Sequence, residues 1–369
     1  MNILMLASDV YLKGGIQRYT RGQFASLEKS QKVDSLYLFS LTNRVEGSFE
    51  ETIPVSYCRK KNSVFNNVLF ILKTIYLVLS KKIDLVLINH INLAPLGLII
   101  KILFRVPYIT NVYGIEIWSG LNSLKRFSLK GSKSLVGDCN HIIDYILENR
   151  LFEQKMHLLY DPVDVIEFKV LDSCLYEYLY EKYNLPRGGL YLITVGRLER
   201  DKGHESMISS LLNNQEWSYL VVGDGSDRNN LERAVIEKGM QNVFFLGRVP
   251  EDDLVPLYNL ADIVYLLSRM DSGEGEGLPL GLIEGSACGK PILFGGNDGS
   301  KEAYSGDTEP NGILLKSATD ITNALNQLES RDLRARLGRN GRKFAVANFS
   351  LQKFGEQFEQ ICLDGRKRC

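Results

Sequence analysis

The chain has 369 residues, of which 44% are hydrophobic and 24% charged, a composition typical of a globular protein rather than of a disordered or membrane-spanning chain. Its length predicts two domains, because one hydrophobic core seldom extends over so many residues. The net charge is zero, but residues 1–162 contain 20 Lys and Arg against 13 Asp and Glu, and the remainder contains 24 against 31. The sequence has no dense basic stripe interleaved with aromatic residues, which disfavours a nucleic-acid partner.

The N-terminal segment and the cysteines predict a cytoplasmic protein. The chain begins with the strand-like run Asn2–Ser8, which lacks the length and the cleavage region of a signal peptide. Its longest apolar runs are far shorter than the ~18 residues of a transmembrane helix. The six cysteines have no metal-ligand spacing and no close pairing, so reduced thiols are expected. The basic N-terminal half predicts contact with phosphate-bearing acceptors or peripheral contact with anionic lipid at the inner face of a membrane, with a chance imbalance of charge between domains as the alternative.

The first half alternates strand-like runs with amphipathic stretches. Strands are predicted at Ile3–Ala7, Ser35–Phe39, Leu85–Asn89 and Tyr108–Val112. Residues 62–82 form a strongly apolar segment with basic residues at both ends. A helix that covers the sheet is the favoured interpretation, and a helix in a membrane interface is the alternative.

Two glycines follow the first predicted strand. Gly14 and Gly15 lie at a loop-to-helix junction, where backbone amides can approach a phosphate without an intervening side chain. The G-x-G-x-x-G fingerprint of a dinucleotide-binding dehydrogenase is missing here. A plain helix start is the alternative.

The second half repeats the strand–helix alternation more regularly. Strands are predicted at Leu190–Val195, Ser218–Val222, Val243–Leu246, Ile263–Leu267 and Pro291–Phe294. Helices are predicted near residues 203–212, 227–239, 251–260 and 279–288. This order predicts an α/β fold with parallel sheets in two Rossmann-like domains. The boundary is expected near the turn Tyr160–Asp164, and residues 350–362 have the apolar periodicity of a final helix.

Residues 274–289 are the most informative segment. Glu276 and Glu284 are separated by a loop-to-helix junction, with Pro279 expected as the first helical residue. The free amides and the positive end of the helix dipole between these carboxylates suit a phosphate. Hydroxyl groups at the two ends of a nucleotide sugar can then donate to the two carboxylates. An acid early in a helix, favoured by the dipole alone, is the alternative.

This segment resembles the E-x7-E signature of the retaining glycosyltransferases of family 4, which have the GT-B fold. Val195–Gly203 is similar to the G-R-L-x-x-x-K-G segment of that family. The resemblance implies two Rossmann-like domains with a cleft between them and a last helix that crosses back to the first domain. The expected domains are 1–162 for the acceptor, completed by the helix 350–369, and 163–349 for the donor.

The resemblance also implies roles for particular residues. Two fixed cations would stabilise the leaving diphosphate in an enzyme that uses no metal and no cofactor. The residues expected at the reacting centre are Glu276, Arg197 and Lys202. The residues expected to bind the donor are Gly14, Gly15, Gly196, Gly223, Arg248, Val249, Gly277, Leu278, Pro279, Leu280 and Glu284. For Gly223 a purely structural turn is an equal alternative. The residues expected near the acceptor or the transferred sugar are His90, Tyr113, Glu116 and Trp118, with Tyr113 standing where many family members have His.

The function implied is a retaining, metal-independent transfer of a sugar from a nucleoside-diphosphate sugar, with UDP preferred to GDP. The expected acceptor is a glycan or a lipid-linked saccharide, as in the synthesis of surface polysaccharides or glycoconjugates. The alternatives are a GT-B sugar-nucleotide epimerase or hydrolase and a non-catalytic partner subunit that binds sugar nucleotides.

Overall fold

The computed structural model describes residues 1–12, 14–42, 55–59, 64–268, 277–295 and 298–366. Contacts divide the chain into two compact units. Unit 1 comprises Met1–Pro162 together with Leu351–Cys369, and unit 2 comprises Val163–Ser350.

Unit 1 is built on a parallel sheet. Its elements in chain order are β1 (Asn2–Ala7), α1 (Gly15–Glu28), β2 (Ser35–Thr42), β3 (Val55–Arg59), α2 (Val64–Ser80), β4 (Leu85–Ile88), α3 (Ala94–Phe104), β5 (Tyr108–Val112), α4 (Gly114–Trp118), α5 (Ser123–Gly131), β6 (Ser134–Gly137), α6 (Asn140–Glu148) and β7 (Lys155–Leu158). Among the described residues the strand order is β3-β2-β1-β4-β5-β6-β7. In the central register Met5 pairs with Leu38 on one side and with Leu87 on the other. The central strands β1 and β4 are almost entirely apolar because helices cover both faces of a parallel sheet.

Unit 2 repeats this plan. Its elements are α7 (Tyr178–Lys182), β8 (Leu190–Val195), α8 (His204–Leu211), β9 (Trp217–Val222), α9 (Arg228–Glu237), β10 (Val243–Gly247), α10 (Glu251–Leu260), β11 (Ile263–Leu267), α11 (Leu280–Ala287), β12 (Ile292–Gly295), β13 (Gly312–Leu315), α12 (Ile321–Leu328) and α13 (Arg331–Phe349). The parallel strands have the order β10-β9-β8-β11-β12-β13 within the described part of the chain.

The last helix, α14 (Leu351–Arg366), returns to unit 1. It packs on α1, where the Tyr19 and Phe354 rings meet edge to face with centroids 5.5 Å apart. Phe354 and Phe358 belong to the same buried cluster as the β1 residues Ile3 and Met5. The predicted α/β fold of two Rossmann-like domains is therefore confirmed, with the final helix packed against the first.

Within the described ranges, the sequence missed four strands, namely β3, β6, β7 and β13. Each has four or five residues, and β7 has the sequence Lys-Met-His-Leu, which carries little apolar signal. β3, β7 and β13 lie at sheet edges, where a strand needs less apolar sequence because only one neighbour pairs with it.

Residues 64–80 form the predicted apolar helix, α2, while Asn62 and Ser63 lie outside the described residues. The side chains that α2 buries are Asn66, Phe70, Thr74 and Val78, a stripe with a spacing of four residues. The Phe70 ring stacks on Phe39 of β2 at a centroid distance of 4.7 Å. The helix therefore covers the sheet, which was the favoured interpretation, but it does so with only one narrow face. No helix in the described part of the chain has both the length and the hydropathy to cross a membrane.

Candidate functional site

The strand order of unit 2 places a topological switch point between β8 and β11. From β8 the chain proceeds outward to β9 and β10, and from β11 it proceeds outward in the other direction to β12 and β13. The connections on the two sides therefore diverge, which opens a crevice at the carboxyl ends of β8 and β11. The loop after β8 and the start of α11 both lie at this end of the sheet.

The loop after β8 carries two of the predicted cations. Arg197 is exposed, whereas Lys202 is only 9% exposed and its Nζ lies 3.2 Å from Asp201 Oδ2. Lys202 ends the 3₁₀ turn Arg200–Lys202. A buried Lys normally has a counter-charge, and Asp201 provides one for Lys202. The Lys202 ammonium is therefore a positive group in a fixed position near the crevice.

Gly203 attaches this loop to β11. Its φ of +74° is in the left-handed region, and its carbonyl accepts a 2.9 Å hydrogen bond from the Tyr265 hydroxyl. A Cβ at Gly203 would lie 2.3 Å from the Leu267 carbonyl oxygen, so the close approach to the end of β11 requires glycine. Lys202 is therefore held at the junction of β8 and β11.

The first turn of α11 lies at the same junction. A Cβ at Gly281 would be 2.9 Å from the Val195 carbonyl oxygen at the end of β8, and one at Gly285 would be 2.2 Å from Val264 of β11. Two glycines thus let α11 pack directly against both strands. The amides at the start of this helix, with the positive end of its dipole, lie at the crevice.

Glu284 is the fifth residue of α11 and is 5% exposed. Its Oε2 accepts a 3.0 Å hydrogen bond from the Tyr258 hydroxyl of α10. Pro279 is the residue before the helix rather than its first residue, since its ψ of 87° is not helical. The prediction for Pro279 was therefore one residue too early, and the carboxylate nevertheless lies in the second turn as expected.

The predicted partner Glu276 lies outside the described residues. Gly277 and Leu278 are described and half-buried, and they lead directly into Leu280, the first residue of α11.

Gly196 and Gly223 lie close together at the crevice. A Cβ at Gly223 would lie 1.8 Å from the Gly196 carbonyl oxygen, and Gly223 has a φ of +130°. The loops after β8 and β9 are therefore in backbone contact. Arg248 and Val249 follow β10, two strands from β8, where Arg248 is exposed and Val249 half-buried.

His204 is a buried residue of this region that the sequence analysis missed. Its Nδ1 is 2.7 Å from the Tyr219 hydroxyl, which donates a 2.9 Å hydrogen bond to Thr194 Oγ1. Burial lowers the pKa of His204 to about 4, so the ring is neutral at physiological pH. It directly follows Lys202–Gly203 and anchors the first turn of α8 to β8 and β9.

Unit 1 has its own switch point between β1 and β4. Gly14 and Gly15, at the start of α1, are both exposed, and a Cβ at Gly15 would have no atom within 4 Å. The backbone at Gly15 is therefore open to a ligand.

His90 follows β4 at this switch point. Its Nδ1 accepts a 3.2 Å hydrogen bond from the Asn92 amide, which leaves the proton of the neutral ring on Nε2. Nε2 lies 2.7 Å from Glu116 Oε1. The structure thus brings together two of the predicted acceptor-side residues as an ion or hydrogen-bond pair.

Tyr113 and Trp118 are less accessible. Tyr113 is buried, its hydroxyl lies 3.5 Å from Asn111 Nδ2, and burial raises its pKa. The Trp118 indole covers Gly114 and lies 5.6 Å from the His141 ring. Tyr113 therefore supports the site from within the core, while half-buried Trp118 is closer to solvent.

A cavity of about 560 Å³ in unit 1 was not predicted. Its polar wall includes Asp9, Thr42 and His90, and the Thr42 hydroxyl donates to Asp9 Oδ1. Its apolar wall comes from α2 and from the segment around α3. The available signal was Asp9 directly after a predicted strand, the position at which parallel sheets place ligand-binding residues.

Comparison with known proteins finds similarity to glycosyltransferases, and the family match lies within unit 2. Residues 178–344 match the family model of Glycosyl transferases group 1. An uncharacterized glycosyltransferase of Methanocaldococcus jannaschii is 25% identical over 247 residues, which is 65% of this chain and 60% of that protein. A GDP-mannose-dependent monoacylated alpha-(1-6)-phosphatidylinositol monomannoside mannosyltransferase of Corynebacterium glutamicum is 30% identical over 174 residues, or 45% of each chain. The matches thus span 60% and 45% of the lengths of these relatives.

Solved structures resemble the whole chain. HepE of Anabaena, crystallised in complex with UDP, superposes with a TM-score of 0.81 over 98% of this chain and 99% of its own, at 17% sequence identity. The chain has the GT-B fold. At this identity the likeness establishes architecture, and together with the family match it supports the predicted glycosyltransferase class. Assignment to family 4 and to its E-x7-E signature stays a prediction.

Proposed function

We propose that this GT-B chain is a glycosyltransferase that takes a sugar from a nucleoside-diphosphate sugar bound mainly by unit 2. The observation that carries the proposal is the β8/β11 junction. Lys202, the N-terminus of α11 and the buried carboxylate of Glu284 all lie at this junction, on two segments, the loop after β8 and α11. Positive groups and helix amides suit a diphosphate, and a carboxylate suits the hydroxyls of a ribose.

In this proposal Glu284 accepts hydrogen bonds from the ribose hydroxyls, while Arg197 and Lys202 stabilise the diphosphate as negative charge develops on it. Gly14, Gly15, Gly196 and Gly223 allow close approach of the backbone. Gly277, Leu278, Pro279 and Leu280 line the phosphate side, and Arg248 and Val249 meet the base. Glu276 positions the transferred sugar.

The transfer is proposed to retain anomeric configuration and to need no metal. The acceptor then attacks on the face of the leaving group, and a phosphate oxygen takes the acceptor proton. UDP is the preferred nucleotide, supported by the UDP complex of the structural neighbour, whereas the mannosyltransferase relative favours a test of GDP as well.

The acceptor is proposed to be a glycan or lipid-linked saccharide that binds to unit 1, with His90, Glu116, Tyr113 and Trp118 near the transferred sugar. The His90–Glu116 pair supports this side of the proposal, because a paired imidazole and carboxylate can orient a sugar hydroxyl. Two competing functions are a sugar-nucleotide epimerase or hydrolase, which needs no acceptor, and a non-catalytic subunit that binds sugar nucleotides.

The first experiment is a thermal-shift titration with UDP, GDP and their sugar derivatives. A ligand at 100 times its Kd stabilises the folded protein by about 2.7 kcal/mol, so binding is readily seen. Glu284→Gln and Lys202→Ala are expected to weaken the shift. Lys316→Ala, which removes an exposed lysine after the edge strand β13, is the matched control and should leave it unchanged.

Turnover with saccharide acceptors separates the competing functions. Lys202→Ala should lower the rate of transfer by roughly 10²–10³ while the fold, followed by circular dichroism, is retained. Rapid epimerisation or hydrolysis of the donor without acceptor would replace the transferase proposal. Absence of any shift with UDP or GDP would contradict the donor site itself.

A further inference from the structure

Helix α2 buries two polar side chains against the sheet and exposes large apolar side chains on its outer side. Its sheet-facing stripe includes the polar residues Asn66 and Thr74, and Asn66 Nδ2 donates to the Leu41 carbonyl at 2.8 Å. The opposite side exposes large apolar side chains, including Leu72, which is 59% exposed. The large apolar side chains exposed on this outer side of α2 include Val64, Phe65, Val68, Leu72, Tyr76 and Leu79. A helix packed only on a sheet usually has polar residues on that outer side.

Two further helices extend this apolar surface. Helix α3 contacts both α2 and α5. It exposes Ile102 at 66% and also Leu103, while α5 exposes Leu124 and Phe127. We call the exposed side chains of α2, α3 and α5 the outer helix face. Large apolar side chains exposed together on neighbouring helices are typical of an interaction surface.

The charge of these helices is of one sign. Between the ends of α2, α3 and α5 the sequence contains no Asp or Glu. The same helices carry Lys73, Lys101, Lys125, Arg126 and Lys130. Apolar side chains combined with lysine and arginine match the two layers of an anionic lipid surface, acyl chains beneath and phosphates above.

We propose that the outer helix face docks on the surface of an anionic lipid bilayer. Leu72 and Ile102 would enter the boundary between headgroups and acyl chains, and Lys73 and Arg126 would contact lipid phosphates. A second copy of the chain is the less favourable occupant, because a symmetric contact would bring like charges together without an acidic group on these helices to balance them.

The face also borders the cavity of unit 1. Ile71 of α2 and Ile99 of α3 line the cavity and are themselves exposed. Asp9 and His90 form part of its polar wall. A lipid-anchored acceptor held in the bilayer would place its saccharide in this cavity, a step that rests on the proposed function, whereas the docking itself does not.

Vesicle sedimentation of the full chain tests the docking. We expect the protein to sediment with vesicles of phosphatidylcholine and phosphatidylglycerol, to bind phosphatidylcholine vesicles much more weakly, and to be released by high salt. Leu72→Asp combined with Ile102→Asp should reduce the partition coefficient by about tenfold or more. Ile236→Asp is the control for the apolar change, since Ile236 is 77% exposed on α9 of unit 2.

The charge contribution is tested by Lys73→Glu combined with Arg126→Glu, which should also lower binding to anionic vesicles by about tenfold or more. Arg233→Glu, at an exposed position of α9, should leave it unchanged. Folding of every variant is checked by the thermal shift with UDP, so loss of the donor site and loss of docking are read separately.

Two results would overturn the docking. One is sedimentation no greater with anionic vesicles than without vesicles. The other is a dimer in velocity sedimentation that dissociates in the Leu72→Asp and Ile102→Asp variant, which would assign the face to a second copy.

Discussion

The Tyr258 hydroxyl donates a 3.0 Å hydrogen bond to Glu284 Oε2, and both residues are buried. The bond joins α10 to α11 and fixes the orientation of the carboxylate at the β8/β11 junction. One Glu284 oxygen is thereby engaged from within the protein.

Tyr258→Phe should weaken binding of UDP by about tenfold, because a hydrogen bond to a charged group contributes roughly 1.5–3 kcal/mol and the carboxylate would lose its orientation. Isothermal titration with UDP measures the change in Kd. Tyr304→Phe is the control, since it removes a 2.9 Å hydrogen bond to Asp307 at an exposed turn. Equal Kd values for Tyr258→Phe and the unmodified protein would contradict the role of this hydrogen bond in orienting Glu284 for UDP.

Gly203 and Gly239 provide a matched pair of left-handed glycines. Both have positive φ, at +74° and +64°, but only a Cβ at Gly203 would strike backbone, whereas one at Gly239 would meet nothing within 4 Å. Gly239→Ala should lower the free energy of unfolding by about 1 kcal/mol and Gly203→Ala by about 3 kcal/mol or more, because steric conflict adds to strain.

Urea denaturation measures both glycine variants. Gly203→Ala is also expected to weaken UDP binding through displacement of Lys202, while Gly239→Ala is not. Similar losses of stability in the two variants would contradict the close contact with Leu267.

The buried imidazole of His204 predicts a pH dependence of stability. Burial lowers the pKa of His204 to about 4 in the folded protein, so the ring stays neutral there at mildly acidic pH. In the unfolded chain the same ring binds a proton near its ordinary pKa of about 6.5. The stabilisation is present above that ordinary value and is lost as the pH falls toward about 4.

The unmodified protein should therefore lose about 2 kcal/mol more than His204→Gln between about pH 7 and about pH 5. Urea denaturation at each pH gives the two differences, and other titrating groups cancel between the proteins. Parallel pH profiles would mean that His204 is protonated as easily in the fold as in the unfolded chain.

The sequence predicted the central strands because burial on both faces makes them continuous apolar runs. Strands such as β8 and β11 and the helices that follow them start within one or two residues of the predicted positions. Gly14, Lys202 and Glu284 were singled out because they lie in segments that follow strands, where parallel sheets bind ligands, and their role in donor binding stays a prediction.

Contacts between residues far apart in the sequence could not be predicted. Nothing local in the sequence pairs Tyr258 with Glu284, 26 positions later, or places Tyr113 inside the core beside Tyr19. The apolar sequence of α2 predicted burial, but only the fold showed that Asn66 and Thr74 are buried while several large apolar side chains of the same helix are exposed. Four-residue strands with mixed composition gave no periodic signal.

The return of α14 to unit 1 has a consequence for synthesis on the ribosome. Phe354, Phe358 and Ile361 complete the core around Ile3 and Met5, yet residues 163–350 must be translated before them. At ~5–20 residues per second this interval lasts roughly 10–40 s. During it, the first-made half of the protein presents an unfilled apolar groove along α1, so nascent chains would depend on chaperones there while unit 2 folds.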